Sequence, residues 1–597
     1  METESQLVRL CIEAACESRE SIDKWRRQRR TLERLPSPLA DILLRRLLHR
    51  RLLFPSLLEV FKQSVEVVDL RGENAVDAEW MAYLGAFRYL RYLNLADCNK
   101  ITSSALWSLT GMTSLKELDL SRSVKVTDAG IRHLLSISSL EILRIPETGL
   151  TAKGVALLTS LTNLSVLDLG GLPVTDMALS SLQVLTKLEY LDLWGSNISN
   201  NGVAVLQLFP KLSFLNLGWT SVTRLPSMLS LEYLNLSNCT IESLLEGDGD
   251  GDKAPLTKVI LSGATFPNEA EAFYNIEPRF LSFLDVSNSS LQGFYFLHDM
   301  KMLEHLDLSS TMMGDDAIEA VACIGANLTN LNLSKTRVTS AGLAILAEHV
   351  PKLEYLSLSH ALVDDFALSY IGMMSSLKVV DLSNTNIKGF IRQMGVETNL
   401  IPSLKALQGL SGLQSLNLEH TQVRDAAVAP VSSFQELSHL SLKSASLADE
   451  TLYHLSSLSK LTSLVIGDAV LTNCGLDLFR PPVALKMLDL RGCWLLTEEA
   501  ISSFCTKHPA IKLRHELLNV SSPNESSSYR ASPSRILSRP PHVSRKQGKM
   551  PVSWPMPQHF IDQRLKYSRE ELLALQYQSS HERGIAMPKM PNSWDRN

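Results

Sequence analysis

Near the end of this 597-residue chain, Tyr567 is followed by Leu572 and Leu573, with Arg569 inside the interval and Leu575 just beyond it. Their chemistry is recognition: a phenol that can hydrogen-bond beside three leucines that gain by leaving water. Ser568 and Glu571 form a Ser-x-x-Glu capping box, which predicts that a helix starts there. Leu572, Leu573, Ala574 and Leu575 give that helix an apolar surface but no core, and so short a helix is marginal in water. A capped amphipathic helix in a polar segment is expected to fold in the groove of a partner.

Residue types that would make or break bonds are not arranged to do so. There is no nucleophile–base pair, zinc spacing, phosphate-binding loop or HExxH-type motif, so a non-enzymatic protein without metal or cofactor is expected. His305, His360, His420 and His439 recur at repeat intervals and are read as surface residues. Asp248, Asp250 and Asp252 have the spacing of a calcium loop, but Val259 stands where the bidentate Glu would be needed, which favours a solvated acidic loop. Eight cysteines in so long a chain do not suggest a disulfide framework. Cys98, Cys239 and Cys493 share one repeat slot, which gives them a structural explanation.

The element that positions everything else is a tile repeated along the chain. Leu188, Leu191 and Leu193 predict a short buried strand, Ser196 a turn, Ile198 an inward residue, and Val203 and Leu206 a short helix. The spelling returns at Leu212-Ser-Phe-Leu215-Asn-Leu217, and strand cores start at about eighteen places from Val65 to Leu485. The usual step is 24 or 25 residues. A small polar residue or Cys recurs eight residues after the first Leu, as at Cys98, Thr148, Thr220, Thr336 and Cys493, suited to hydrogen-bond backbone where the chain leaves the strand. Gly154, Gly202, Gly342 and Gly475 mark the way into the helix. One tile cannot bury enough to fold alone, so neighbours must share their buried faces.

This recurrence resembles the leucine-rich-repeat family, ribonuclease-inhibitor-like in type. The resemblance implies an α/β solenoid, a horseshoe of about 18 repeats over residues 65–515, with a helical cap at 1–64 and a disordered basic tail at 516–597. In that family the non-Leu strand positions face the concave surface. Tyr190, Trp194, Phe214, Trp219 and Tyr233 form the densest aromatic patch there, read either as a ligand site or as a stack that stabilises the ladder. Residues 388–405 are an insertion in the 36-residue step from Leu377 to Leu413.

Charge is uneven. Residues 520–597 carry 12 Lys/Arg against 6 Asp/Glu, leaving the body at −11 within a net charge of −5. An acidic body argues against a phosphate-gripping face, so no direct nucleic-acid contact is expected. No secretory signal and no apolar run of membrane-spanning length is seen, so a reduced, intracellular protein is expected, cytoplasmic with the nucleus as a second location.

The N-terminus supports two readings. Leu7, Leu10, Cys11, Ala14 and Ala15 fall at helical spacing, as do Leu39, Ile42, Leu43 and Leu47, with Arg26, Arg27, Arg29 and Arg30 as a basic hinge between them. The first reading is a cap over the end of the solenoid. The second is a resemblance: Leu7-x3-Cys11-x3-Ala15 resembles the elongin-binding box of ubiquitin-ligase substrate receptors, with Gln6 where that family has a small residue or proline. Leu35-Pro36-x2-Leu39-x3-Leu43 resembles the cullin box, and equally the opening of an F-box.

In the tail, Tyr567-x4-Leu572-Leu573 resembles the motif by which initiation factor 4G and its competitors bind the cap-binding translation initiation factor 4E. The resemblance implies that Tyr567 caps a backbone group on the partner while Leu572 and Leu573 pack on it, with Arg569 and Leu575 flanking. A repeat body with such a tail is similar to plant leucine-rich-repeat interactors of the cap-binding factor, which implies an adaptor of translation initiation.

Overall fold

The structure, a computed structural model, describes residues 6–26, 35–247, 253–392 and 400–520. Every one of the leucine-based strand cores becomes a short parallel strand with a buried central residue, as at Tyr190–Asp192 and Phe214–Asn216. The chain divides into two compact units, Met1–Val338 with Glu348–Leu353, and Thr339–Ala347 with Glu354–Asn597. Among the described residues the first unit has twelve parallel strands, from Val67–Asp69 to Asn330–Asn332. The second has seven, from Tyr355–Ser357 to Lys512–Arg514. That last rung was missed in sequence because Ile511-Lys-Leu513-Arg lacks the leucine spelling, yet it pairs in register with Met487–Asp489.

Burial explains the spelling. Leu188, Leu191, Leu193, Ile198 and Leu206 are fully enclosed, and the same positions are filled in rung after rung. Each rung's amides donate to carbonyls on both sides, as Lys116 and Glu117 do to Arg91 of the preceding rung and Leu120 does to Arg144 of the next, so a rung's backbone is satisfied by its neighbours. The ladder continues past the strand through one left-handed residue per turn: Gly171, Gly195, Trp219 and Asn238 have φ of +71°, +69°, +60° and +57°. Gly195 N–H then donates to the Gly218 carbonyl at 2.8 Å and Trp219 N–H to the Ser237 carbonyl at 2.8 Å.

The small polar slot works in two ways. Thr148, Thr220, Thr311, Thr336, Thr385 and Thr421 each donate a hydroxyl to the carbonyl three residues back, at 2.6–3.0 Å. The cysteines instead reach the previous rung: the Cys98 thiol donates to the Leu70 carbonyl at 3.2 Å and Cys493 to that of Ile466 at 3.2 Å. Burial pushes these thiols up, to about 11 at Cys98 and about 12 at Cys493, so they are poor nucleophiles. All eight cysteines are free thiols.

Helix entry also has a physical cause. Thr151 and Ser199 cap their short helices, and the Asp128 and Asp176 carboxylates of the preceding rungs accept from their amides (2.9 Å each) and hydroxyls (2.6 Å each). A Cβ at Gly154 or Gly202 would overlap those carboxylates, and the same holds for Gly475 against Asp449.

The N-terminus is helical, in α1 (Gln6–Ala15), α2 (Arg19–Arg26) and α3 (Ser37–His49). Ala40, Leu43, Leu44 and Leu47 of α3 are buried. Asp41 Oδ1 accepts from the Glu66 and Val67 amides at 3.1 and 3.3 Å, standing where a preceding rung's carbonyl would be. On α1 the expected apolar face is not the packed one: Ile12 and Cys16 are buried, whereas Leu7 is 71% and Leu10 56% exposed, and Cys11 and Ala14 are exposed too. The expected hinge is in part a helix, since α2 runs to Arg26; Arg27, Arg29 and Arg30 lie outside the described residues.

The insertion begins and ends as an antiparallel pair, Phe390–Arg392 with Leu400–Pro402. Buried Asp365 anchors its base, accepting from the Lys388 and Gly389 amides at 3.0 and 2.7 Å and from the Ser403 hydroxyl at 2.6 Å. Among the described residues no helix is long and apolar enough to cross a membrane.

Candidate functional site

Two residues of each three-residue strand lie on the outer face of the sheet, and parallel in-register pairing lines them up across rungs. The first-position row of the first unit includes Val166, Tyr190, Phe214, Tyr233, Lys258, Phe283 and His305. Because rungs lie about 4.8 Å apart, neighbouring rings can stack. Tyr190 and Phe214 do so with centroids 3.9 Å apart and planes 11° apart, and Phe214 and Tyr233 at 4.0 Å and 14°. Lys258 continues the stack, its Nζ 5.5 Å from the Tyr233 centroid and 4.3 Å from that of Phe283. Three of the five patch residues are therefore a half-buried ladder.

The other two, Trp194 and Trp219, stand on the turn and are 40% and 60% exposed. The Trp194 indole lies across three rungs. A Cβ on Gly171 would sit 3.4 Å from its Cζ3, and one on Gly218 3.2 Å from its Cδ1, so glycine on both sides gives the ring room. Trp219 occupies the left-handed turn position that every such rung repeats, filled elsewhere by Arg122, Glu147, Lys335 and His360 as well as by glycine. Gly, Asn and Asp recur in that slot (Gly72, Asp97, Gly195, Asn238, Gly263, Asn288), a partial signal from which the row could have been read.

In the first unit the third-position row is Asp or Asn except at Arg144 and Ile260, and most of it has a structural reason. One side-chain oxygen accepts the amide two residues on: Asp192 from Trp194 at 2.9 Å, Asn216 from Gly218 at 3.1 Å, Asn235 from Ser237 at 2.9 Å, Asp285 from Ser287 at 2.9 Å. Asn216 Nδ2 also donates to Asp192 Oδ2 at 2.9 Å, and Asn332 to Asp307 at 2.9 Å, so an amide beside a carboxylate relieves the charge. Asp168 differs. It accepts from the Gly170 amide at 3.0 Å, but its neighbours in the row are Arg144, which pairs with Glu117, and Asp192, a second carboxylate. Burial, then the Asp192 charge, pushes the Asp168 carboxyl up to about 6, and burial raises Asp192 as well. Burial, with those two carboxylates, holds the Tyr190 phenol above its usual range.

Other sequence-predicted residues are dispersed. His305 packs obliquely on Phe283, His360 and His420 take the left-handed turn position, and His439 bonds its neighbour Ser438 at 2.8 Å. Among the described residues no group of His, Cys, Asp and Glu is arranged to hold a metal. Leu7 and Cys11 are exposed on α1 with Ala15 half-buried, and Leu35 and Pro36 immediately precede α3. Asp248, Asp250, Asp252, Tyr567, Arg569, Leu572, Leu573 and Leu575 lie outside the described residues.

Two family models match, one described as Leucine Rich Repeat over residues 230–248 and another, Leucine Rich repeat, over 299–322. With the rung geometry, they support a leucine-rich-repeat solenoid as the fold of this chain. A sequence search of curated proteins gives no match. Similar solved structures include an internalin from Listeria monocytogenes, at 17% identity over 69% of this chain and 88% of that one, TM-score 0.33. A leucine-rich-repeat protein of Leptospira interrogans is 14% identical over 75% and 95%, TM-score 0.41. The chain in a TLR13–ssRNA13 complex is 18% identical over 72% and 69%, TM-score 0.39.

Proposed function

We propose that the protein is a non-catalytic adaptor whose tail holds the cap-binding translation initiation factor 4E while the repeat body serves as a scaffold for other initiation components. The observation that carries this is Tyr567-x4-Leu572-Leu573 behind its Ser568–Glu571 capping box, in a segment that follows the last rung at Lys512–Arg514. The pairing of repeat body and tail motif resembles the plant cap-binding-factor interactor CERES. A cytoplasmic location, where initiation takes place, is part of the proposal.

Energetics add a requirement. Burying Tyr567, Leu572 and Leu573 supplies about 6 kcal/mol, ordering the segment costs about 2–5 kcal/mol, and micromolar affinity needs about 8 kcal/mol. Arg569, Leu575 or the 585–594 segment must therefore add contacts. Replacing Tyr567, Leu572 and Leu573 together with Ala abolishes co-purification with factor 4E on this reading; undiminished recovery overturns it.

A second reading, a substrate-recognition subunit of a cullin-type ubiquitin ligase, is favoured by one observation: α1 turns Leu7, Leu10 and Cys11 toward solvent instead of into the cap. On that reading, Leu7→Ser with Cys11→Ser removes an elongin- or Skp-type adaptor from pull-downs. Recovery of no such adaptor with the intact chain rejects it.

A further inference from the structure

The sheet face between the strands Val166–Asp168 and Tyr233–Asn235 brings three features together. It has a continuous aromatic bed, Tyr190–Phe214–Tyr233. It has an indole platform beside that bed, Trp194, with Trp219 standing more openly on the next rung. It has two carboxylates on adjacent rungs, Asp168 and Asp192, whose Oδ1 atoms both approach Gly170: a Cβ there would lie 3.3 and 3.4 Å from them.

Charge decides what such a face receives. Arg144, the cation next to Asp168 in the row, is bonded to Glu117 on its other side, and its pull on Asp168 is outweighed by the Asp192 charge. Lys258 lies two rungs beyond Phe214, over the Tyr233 and Phe283 rings. The two carboxylates thus present negative charge beside an exposed indole, and a cation is the one ligand charge that both welcome. A guanidinium satisfies the pair best, since it is planar, stacks on indole and donates to carboxylate oxygens in a fork. Phosphate-rich ligands are repelled by the same charge.

We infer that this face binds an extended segment of a partner protein through an arginine side chain, its guanidinium laid on Trp194 and bonded to Asp168 and Asp192, with flanking apolar residues on the Tyr190–Phe214–Tyr233 bed. The inference rests on the scaffold role proposed for the repeat body, and is separate from the tail motif.

The test uses the full chain and a fluorescein-labelled nonapeptide of alternating arginine and glycine, beside the same peptide with citrulline at every arginine. Fluorescence anisotropy at low salt gives at least tenfold tighter binding of the arginine peptide, with quenching of tryptophan emission. Asp168→Asn and Asp192→Asn each weaken the arginine peptide about tenfold and leave the citrulline peptide unchanged. Both variants keep the acceptor oxygen that Asn216 and Asn235 use on neighbouring rungs, so folding is preserved, as circular dichroism checks. Trp194→Leu weakens it as well, while Trp107→Leu, an exposed tryptophan elsewhere, does not. Equal affinity for the two peptides, or indifference to all three substitutions, overturns the inference. Self-association of the chain that Asp168→Asn abolishes would assign the face to a second copy and overturn it too. The tail triple variant retains peptide binding, which separates this result from the factor 4E experiment.

Discussion

Two stretches of sheet in this molecule are built on the same rung plan and carry different outer residues. In the first unit the outer positions of successive strands are Tyr190, Phe214 and Tyr233, with Asp192, Asn216 and Asn235 beside them. In the second unit the corresponding positions are Ser415, His439 and Ser463, with Asn417, Ser441 and Val465. Behind both faces the interior is the same: Leu191, Leu215 and Leu234 on one side, Leu416, Leu440 and Leu464 on the other, all essentially inaccessible. The rung is specified chiefly by what is inside. The outer row is where partner choice can vary at a smaller cost to folding than a change in the interior.

The sharpest way to break that comparison is to cut the interior in both places. Leu215→Ala and Leu440→Ala are each expected to destabilise the unit that contains them by about 3–5 kcal/mol, read as loss of urea resistance. A large inequality would show that the two interiors are not equivalent. Next comes the exterior. Phe214→Ala removes the centre of a three-ring stack and is expected to cost about 1–2 kcal/mol, whereas His439→Ala, exposed, flanked by Ser415 and Ser463 and bonded through its ring to Ser438, should stay within about 0.5 kcal/mol. The same denaturation curves decide it.

The smallest effect has a sign worth measuring. Asp168 has its carboxyl raised to about 6 in the folded chain, above the ordinary value of 3.8 that it regains on unfolding. Its contribution is therefore most favourable below pH 4 and is lost as pH rises through 6, where the folded state must hold a charge beside Asp192. Asp168→Asn keeps the turn hydrogen bond and removes the charge. The variant should be more stable than the parent at pH 7 by about 1 kcal/mol after allowance for solvent screening, with the difference shrinking between pH 6 and pH 4. Thermal melts across that range give the answer, and a pH-independent difference would refute the cause.

Where sequence reading succeeded and failed follows from these forces. Strand cores were legible because each leucine is buried by stacking and its spacing is fixed by the rung, so even the 19-residue step from Leu212 to Leu231 kept its register. The rung at Lys512–Arg514 was not, because among the described residues it pairs with one neighbour and holds Lys512 and Arg514 around a single buried Leu513. Helical spacing on α1 was visible, but spacing alone cannot tell whether an apolar stripe meets a core; Ile12 and Cys16 took that role, and Leu7 and Leu10 did not. In the aromatic patch, residue types were readable while the division into a stacked ladder and two open tryptophans was not. That division depends on the left-handed turn at Trp219 and on the glycines flanking Trp194. The Asp and Asn row is chiefly a set of turn acceptors, with Asp168 set apart by neighbours on the adjoining rungs.

The carboxylate of Asp41 has a consequence for how the molecule behaves as a solute. A parallel ladder offers bare donors at its leading rim, an invitation for a stranger's strand to dock and for chains to zip together into larger particles. By plugging those donors with an oxygen from its own α3, the chain denies that foothold. Fragments trimmed to begin at residue 65 lose the plug and should clump on concentration, which light scattering would register.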